Sequence, residues 1–164
     1  MTEVDKMTKI EFNPIGVIHS PYKHRAEAPF QGIFSDEKFE LEFYKEYIDG
    51  LKDIEGFSHI VLLYYAHKSR GFHLQTTTPW DTTLHGVFTT FSPIRPNAIL
   101  LSVVPLLERK NEYTLIVSQL DAIDGTPILD IKPYVPSLMV RKNAQIGWMH
   151  NKIRFSKKER KEDF

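Results

Sequence analysis

Residues 113–132 read YTLIVSQLDAIDGTPILDIK. The first part alternates, with Tyr113, Leu115 and Val117 on one face, the period of a half-buried strand. Asp124-Gly125 then supplies the positive backbone φ of a tight turn, so the chain is expected to reverse over 124–127. Residues 128–132 resume as a strand, with Leu129 and Ile131 toward a core and Ile128, Asp130 and Lys132 on the opposite face. A strand, a tight turn and a second strand point to an antiparallel sheet. Three aspartates threaded through it (Asp121, Asp124, Asp130) are more polarity than a core needs.

The neighbouring stretches extend the same pattern. EFNPIGVIHS (11–20) is β-rich but broken by Pro14 and Gly16, which suits an edge or bulged strand. KFELEFYKEY (38–47) alternates, with Phe39, Leu41 and Phe43 on one face. Residues 48–57 suggest one or two helical turns, and SHIVLLYYAH (58–67) reads as a buried strand. The polar stretch 68–86 reads as a long loop. GVFTTF (86–91) reads as a strand, SPIRPN (92–97) as a turn, AILLSVVPLLE (98–108) as another apolar strand, and 143–155 as a short helix. About seven strands with few helical segments predict an all-β barrel or sandwich with short helical additions.

The chain has 164 residues, enough for one domain with a single core. A polar extension over 1–9, a domain over 10–150 and a charged tail over 151–164 are expected. The absence of cysteine excludes disulfides, thiolate metal sites and cysteine nucleophiles. Lysine plus arginine and aspartate plus glutamate are 21 each, which argues against a uniformly basic nucleic-acid coat but not against a local patch. The one basic run, KIRFSKKERK (152–161), is read as a solvated tail, with RNA contact the other reading. No apolar run has the length of a membrane span and the N-terminus has no signal-like segment, so a soluble, cytoplasmic protein is expected.

Three stretches carry candidate chemistry. Around the turn, Asp121, Asp124 and Asp130 could accept hydrogen bonds from a ribose or an amine, or serve as a general base. The plainer reading makes Asp124 the cap of an Asx turn, and Asp130 with Lys132 a solvent-face ion pair. In FTTFSPIRPN (88–97), prolines stiffen the backbone around Arg95, which suits phosphate or carboxylate recognition, and Asn97 offers a donor and an acceptor. In HSPYKHRAEAPFQG (19–32), Tyr22, Lys23, His24 and Arg25 form an aromatic and basic loop that could stack on a base and hold a phosphate. The histidine spacings match no zinc pattern, so no metal is expected. There is no phosphate-cradling glycine loop, no Rossmann fingerprint and no nucleophile elbow.

Together IGVIHSPYK, APFQG, GLKDIEGFSHIVLLYYAH, GVFTTFSPIRPN and LDAIDGTPILDIKPYVP resemble the signature blocks of the TsaA-like (TrmO) family, in its order and spacing. The resemblance covers about residues 10–140, and IGWM (146–149) is similar to short archaeal members. It implies a small antiparallel β-barrel, a homodimer and S-adenosylmethionine as cofactor. The implied reaction is methylation of N6 of the threonylcarbamoyl-modified adenosine beside the anticodon of tRNA. By the same matching, the cofactor would be lined by Phe30-Gln31-Gly32, His67-Lys68, Phe91 and Ile123-Asp124-Gly125-Thr126. Asp130 or Asp124 would take the proton, and Tyr134 would orient the base. Tyr22, Lys23, Arg95, Asn97 and Lys132 would contact RNA. The chain departs from the family pattern at Phe91, where arginine is usual, and at Ala98 and Leu100, where proline and glycine are usual. A second expectation therefore stands beside the first: a non-catalytic dimer of the same fold that binds RNA or an adenosine ligand.

Overall fold

The computed structural model describes residues 9–153, so most of the C-terminal basic run lies outside the described residues. The described residues divide into two compact units, one over 9–69 and 97–134, the other over 70–96 and 135–153.

The first unit is a closed antiparallel barrel of six strands. They are β1 (Gly16–His19), β2 (Lys38–Phe43), β3 (His59–Tyr65), β6 (Ile99–Arg109), β7 (Thr114–Ser118) and β8 (Thr126–Pro133), in the order β1-β2-β7-β6-β3-β8. Pairing of β1 with β8 closes the ring, leaving no exposed sheet edge. The alternation of β2 is realised: Phe39 and Leu41 are fully buried and Phe43 nearly so, against Ile18, Leu62, Leu115, Val117 and Ile128. Short 3-10 turns over 45–51 and 54–56 follow β2 where helical turns were expected, and bury Leu51 and Ile54.

The expected phase of β8 is wrong in one half. Leu63 pairs with Asp130 but Tyr64 pairs with Ile128, so Leu129 is the extra residue of a β-bulge. Ile128 and Ile131 both face the core, opposite the buried Tyr64 and Leu62, while Leu129 is only half-buried. Asp130 and Lys132 stay outside, as the alternation predicted. A second bulge lies between Leu106 and Glu108 on β6. Such bulges bend strands and raise local twist, which helps so few strands curl into a closed ring.

Gly16 lies where β1 presses on β2. A Cβ there would lie 3.0 Å from Phe43 Cα and closer still to the Glu42 carbonyl oxygen.

The second unit contains a hairpin, β4 (Gln75–Thr78) and β5 (Asp81–Gly86), inside the stretch expected to be a loop. Residues 86–91, expected as a strand, instead end β5 and enter a 3-10 turn over Val87–Thr89. A one-turn helix α1 (Pro136–Met139) and a 3-10 turn at Gly147–Met149 complete it, the latter inside the expected C-terminal helix. The two stretches of this unit are clasped together. Trp148 stacks on His85, centroids 3.7 Å apart and planes 11° from parallel, and its Nε1–H donates to the Thr89 carbonyl at 3.0 Å. Lys152 Nζ sits 3.1 Å from the largely buried Asp81 carboxylate. The Thr83 amide and hydroxyl, and then Lys152, hold the Asp81 carboxyl well below the usual carboxylate range. No helix among the described residues is long and apolar enough to cross a membrane.

Gly16→Ala is expected to lower the urea midpoint, costing about 1–3 kcal/mol through overpacking against backbone that has no side-chain slack. Unchanged stability would mean that β1 can move off β2.

Candidate functional site at one end of the barrel

Three connections of the barrel unit converge at one end: the loop after β1 (residues 20–37), the chain leaving β3 (66–69) and the link from β7 to β8 (119–125). The turn at 124–125 is the one expected, with Gly125 at φ +76°. Its backbone is sewn to the exit of β1. The Asp124 amide donates to the Tyr22 carbonyl at 2.7 Å, and the Gly125 amide to the Ile18 carbonyl at 2.9 Å. The Asp124 carboxylate accepts the Ser20 amide at 2.9 Å and pairs with Lys23 Nζ at 2.7 Å. Lys68 Nζ reaches the Lys23 carbonyl at 3.3 Å, bringing the third connection in. A Cβ on Gly125 would meet His67 Nε2 at 4.0 Å, so His67 lies beside the turn. Thr126 Oγ1 donates to the Ile123 carbonyl at 2.6 Å.

Gly32 is pressed against the start of the β7–β8 link. A Cβ there would lie 2.8 Å from Leu120 Cα and closer still to the Gln119 carbonyl oxygen. Only glycine permits that approach. It fixes Gln31, and Phe30 with its ring 4.9 Å from Phe34, at the same end. Arg25 Nη1 donates to the Pro29 carbonyl at 2.7 Å and braces this loop.

The same end contains Asp121, one of the three carboxylates that the sequence marked, with a tyrosine and a serine that the sequence gave no role. Asp121 is half-buried and accepts the Tyr64 hydroxyl at 3.1 Å, while that hydroxyl also meets Ser102 Oγ at 3.0 Å. Burial pushes the Asp121 carboxyl up, opposed by the Tyr64 bond and by the nearby Arg25 charge. Burial, reinforced by Asp121, also pushes the Tyr64 hydroxyl far up, so it stays a donor. The signal was present in the sequence: a hydroxyl in each of two apolar strands needs a partner once buried.

Asp124 has the opposite environment. The Lys23 ammonium first, then the Ser20 amide, hold its carboxyl below the usual range. Asp130 lies on the outer wall in a half-exposed ion pair with Lys132 at 2.8 Å, the pair anticipated on the plainer reading. The turn at Gly125 and the bulge at Leu129 lie between it and Asp124. Tyr134 lies at the far end of β8, its ring 6.1 Å from that of His59. Tyr22 is tied by its hydroxyl to Ser35 at 2.8 Å and packs on Phe39. Asn97 lies at the entry to β6, its carbonyl accepting the Ile99 amide at 2.7 Å.

Phe91 and Arg95 belong to the second unit. Phe91 is exposed, and Arg95 Nη1 folds back onto the carbonyls of Thr90 (3.2 Å) and Ser92 (3.5 Å). No group of three or more metal-ligating side chains occurs among the described residues.

The two aspartates give pH effects of opposite sign. Asp124, depressed in the fold, stabilises above the ordinary aspartate value of about 3.9 and loses that contribution as pH falls. Asp121, raised in the fold, favours the protonated state, so its contribution is present at low pH and is lost as pH rises through its folded value. Asp121→Asn is therefore expected to raise the melting temperature at neutral pH and to leave it little changed near pH 3 in scanning calorimetry. Asp124→Asn should lower it at neutral pH. A drop on Asp121→Asn at neutral pH would show that the ionised carboxylate is itself stabilising.

A family model described as the tRNA-methyltransferase O N-terminal domain matches residues 17–139. A probable S-adenosyl-L-methionine-binding protein of Pyrococcus abyssi is 44% identical over 150 residues, covering 91% of this chain and 81% of the relative. One of Archaeoglobus fulgidus is 47% identical over 142 residues, covering 87% of this chain but only 38% of the relative. The Escherichia coli tRNA (adenine(37)-N6)-methyltransferase is 38% identical over 140 residues, 79% of this chain and 60% of that protein. Among solved structures, TrmO from Pseudomonas aeruginosa superposes with a TM-score of 0.72 at 32% identity, over 87% of this chain and 63% of that one. The chain thus spans between 38% and 63% of the length of three of these four proteins. With the barrel, its loop-bearing end and these matches together, the chain belongs to the tRNA-methyltransferase O N-terminal domain family.

Proposed function

We propose that this protein is an S-adenosylmethionine-dependent methyltransferase acting on N6 of a threonylcarbamoyl-modified adenosine beside the anticodon of tRNA. The observation that carries the reading is the convergence of HSPYK, PFQG, YYAHK and DAIDGT at one end of the barrel, around Asp121 and its Tyr64–Ser102 support.

The residues there suit the cofactor. S-adenosylmethionine has a carboxylate, an ammonium, a sulfonium, a ribose diol and an adenine. Lys23, Lys68 and Arg25 offer cations for its carboxylate, and Asp121 offers an anion toward its positive charges. Phe30, beside Phe34, offers a ring face for the adenine, and backbone groups of 123–126 offer hydrogen bonds to the ribose. When bound, the cofactor supplies an electrophilic methyl on sulfur. The chain's own work is positioning, exclusion of water and acceptance of a proton.

For that last role we favour Asp121. Its raised pKa makes it the better base, and Tyr64 fixes its direction. Asp124 is engaged as a clamp between Ser20 and Lys23, and Asp130 is paired with Lys132 on the outer wall. Asp130 and Asp124 as bases, with Tyr134 as the orienting group, are the competing assignment. The outer faces of β3 and β6 bring Tyr65 and Leu63 opposite Ile99 and Leu101, beside the exposed Val103. Leu101 is 60% exposed, and this apolar wall is our candidate for a homodimer contact.

A second reading has its own support. The archaeal relatives of higher identity are named for binding S-adenosyl-L-methionine alone. A binding protein without transfer fits those names.

Titration calorimetry with S-adenosylmethionine and S-adenosylhomocysteine, followed by transfer to tRNA carrying the modified adenosine, separates the two. Methyltransferase function predicts one site per chain and transfer that falls by about 10²–10⁴-fold in Asp121→Asn. Binding without transfer selects the second reading. Loss of transfer in Asp130→Asn, with Asp121→Asn active, would assign the proton to the outer face of β8.

A further inference from the structure

The chain is neutral as a whole, with 21 basic and 21 acidic residues, but its charge is unevenly divided. Among the described residues of the second unit, Arg70, Arg95, Arg141, Lys142 and Lys152 stand against one acidic side chain, Asp81. That aspartate is consumed internally by Lys152 and the Thr83 amide. The rest of the chain carries the compensating negative charge.

This basic unit also exposes aromatic rings. Phe72 is 55% exposed, Phe88 71% and Phe91 60%. In the 3-10 turn and the residues after it, Val87 and Thr90 are buried while Phe88 and Phe91 are out, a period of three that matches the turn. One exposed phenylalanine needs no explanation, but three among cations with so little negative charge do. The clasp described above makes the arrangement one body. Trp148, from the stretch that carries Arg141 and Lys142, donates to Thr89 beside Phe88. Arg141 is itself held at the end of α1, its Nη1 donating to the Leu138 carbonyl at 2.9 Å and the Val140 carbonyl at 3.0 Å.

We infer that the second unit is a surface for single-stranded RNA, with Phe88, Phe91 and Phe72 as stacking platforms and Arg70, Arg141 and Lys142 as phosphate contacts. It rests on tRNA as the substrate proposed above and adds the surface that grips it. The chemistry selects the partner. Every base has a face to stack and every phosphate a charge to neutralise. A protein partner would need no cations around the rings, and a lipid surface would need no stacking.

The test is fluorescence anisotropy with a labelled tRNA transcript and labelled oligouridine, over a range of salt. Phe88→Ala is expected to weaken both by about tenfold or more. Arg141→Ala with Lys142→Ala should weaken both and flatten the slope of log affinity against log salt by about 1. Calorimetric titration with S-adenosylmethionine and a melting curve on each variant control for folding, because these residues lie outside the barrel. If Phe88→Ala does not fold, the charge-reversed pair Arg141→Glu with Lys142→Glu carries the test. RNA binding by the unaltered protein that survives in every variant overturns this surface and leaves the proposed function standing. No binding of tRNA by the unaltered protein overturns both. Binding to phosphatidylglycerol vesicles in place of RNA assigns the patch to a membrane surface and overturns the inference.

Discussion

The barrel end depends on one turn. Asp124 and Gly125 reverse the chain into β8, and the positive φ at Gly125 lets two consecutive amides reach back to the loop and strand of β1. Those bonds lie where β1 and β8 close the ring. The same residues therefore end the sheet and gather three of the barrel's connections at one end. The Asp124 carboxylate completes the seam by accepting from Ser20 and Lys23. Asp124 thus fastens the exit of β1 to the turn that leads into β8.

Asp121 and Asp124 are three residues apart and differ in what surrounds them. One is half-buried with a tyrosine donor, and its carboxyl is raised. The other is clasped by a lysine and an amide, and its carboxyl is lowered. Environments that push two carboxylates apart are how a protein gives like groups unlike tasks. Burial opposes ionisation of Asp121, an arrangement that a binding or catalytic role would explain.

Much of this was legible in the sequence. The alternation in 38–43 gave the buried face of β2, and Asp-Gly gave the turn at its correct position. The barrel and the family came through the same stretches. What failed had local physical causes. The bulge at Leu129 shifts the β8 pattern by one residue, and a period-two reading has no way to register an inserted residue. The β4–β5 hairpin is built from Thr-rich, half-exposed strands with little apolar alternation, so it read as loop. Tyr64 and Asp121 are 57 residues apart, and only the folded chain pairs them.

The uneven division of charge has a consequence for handling the protein. A sequence pI near 7.1 describes a molecule of no net charge, expected to ignore ion-exchange resins at neutral pH. A chain in which one unit has a surplus of cations and the other a surplus of anions does not behave that way. Retention follows the local field and not the sum. The protein should therefore adhere to cation- and anion-exchange media at low salt, and carry nucleic acid through purification until the salt is raised.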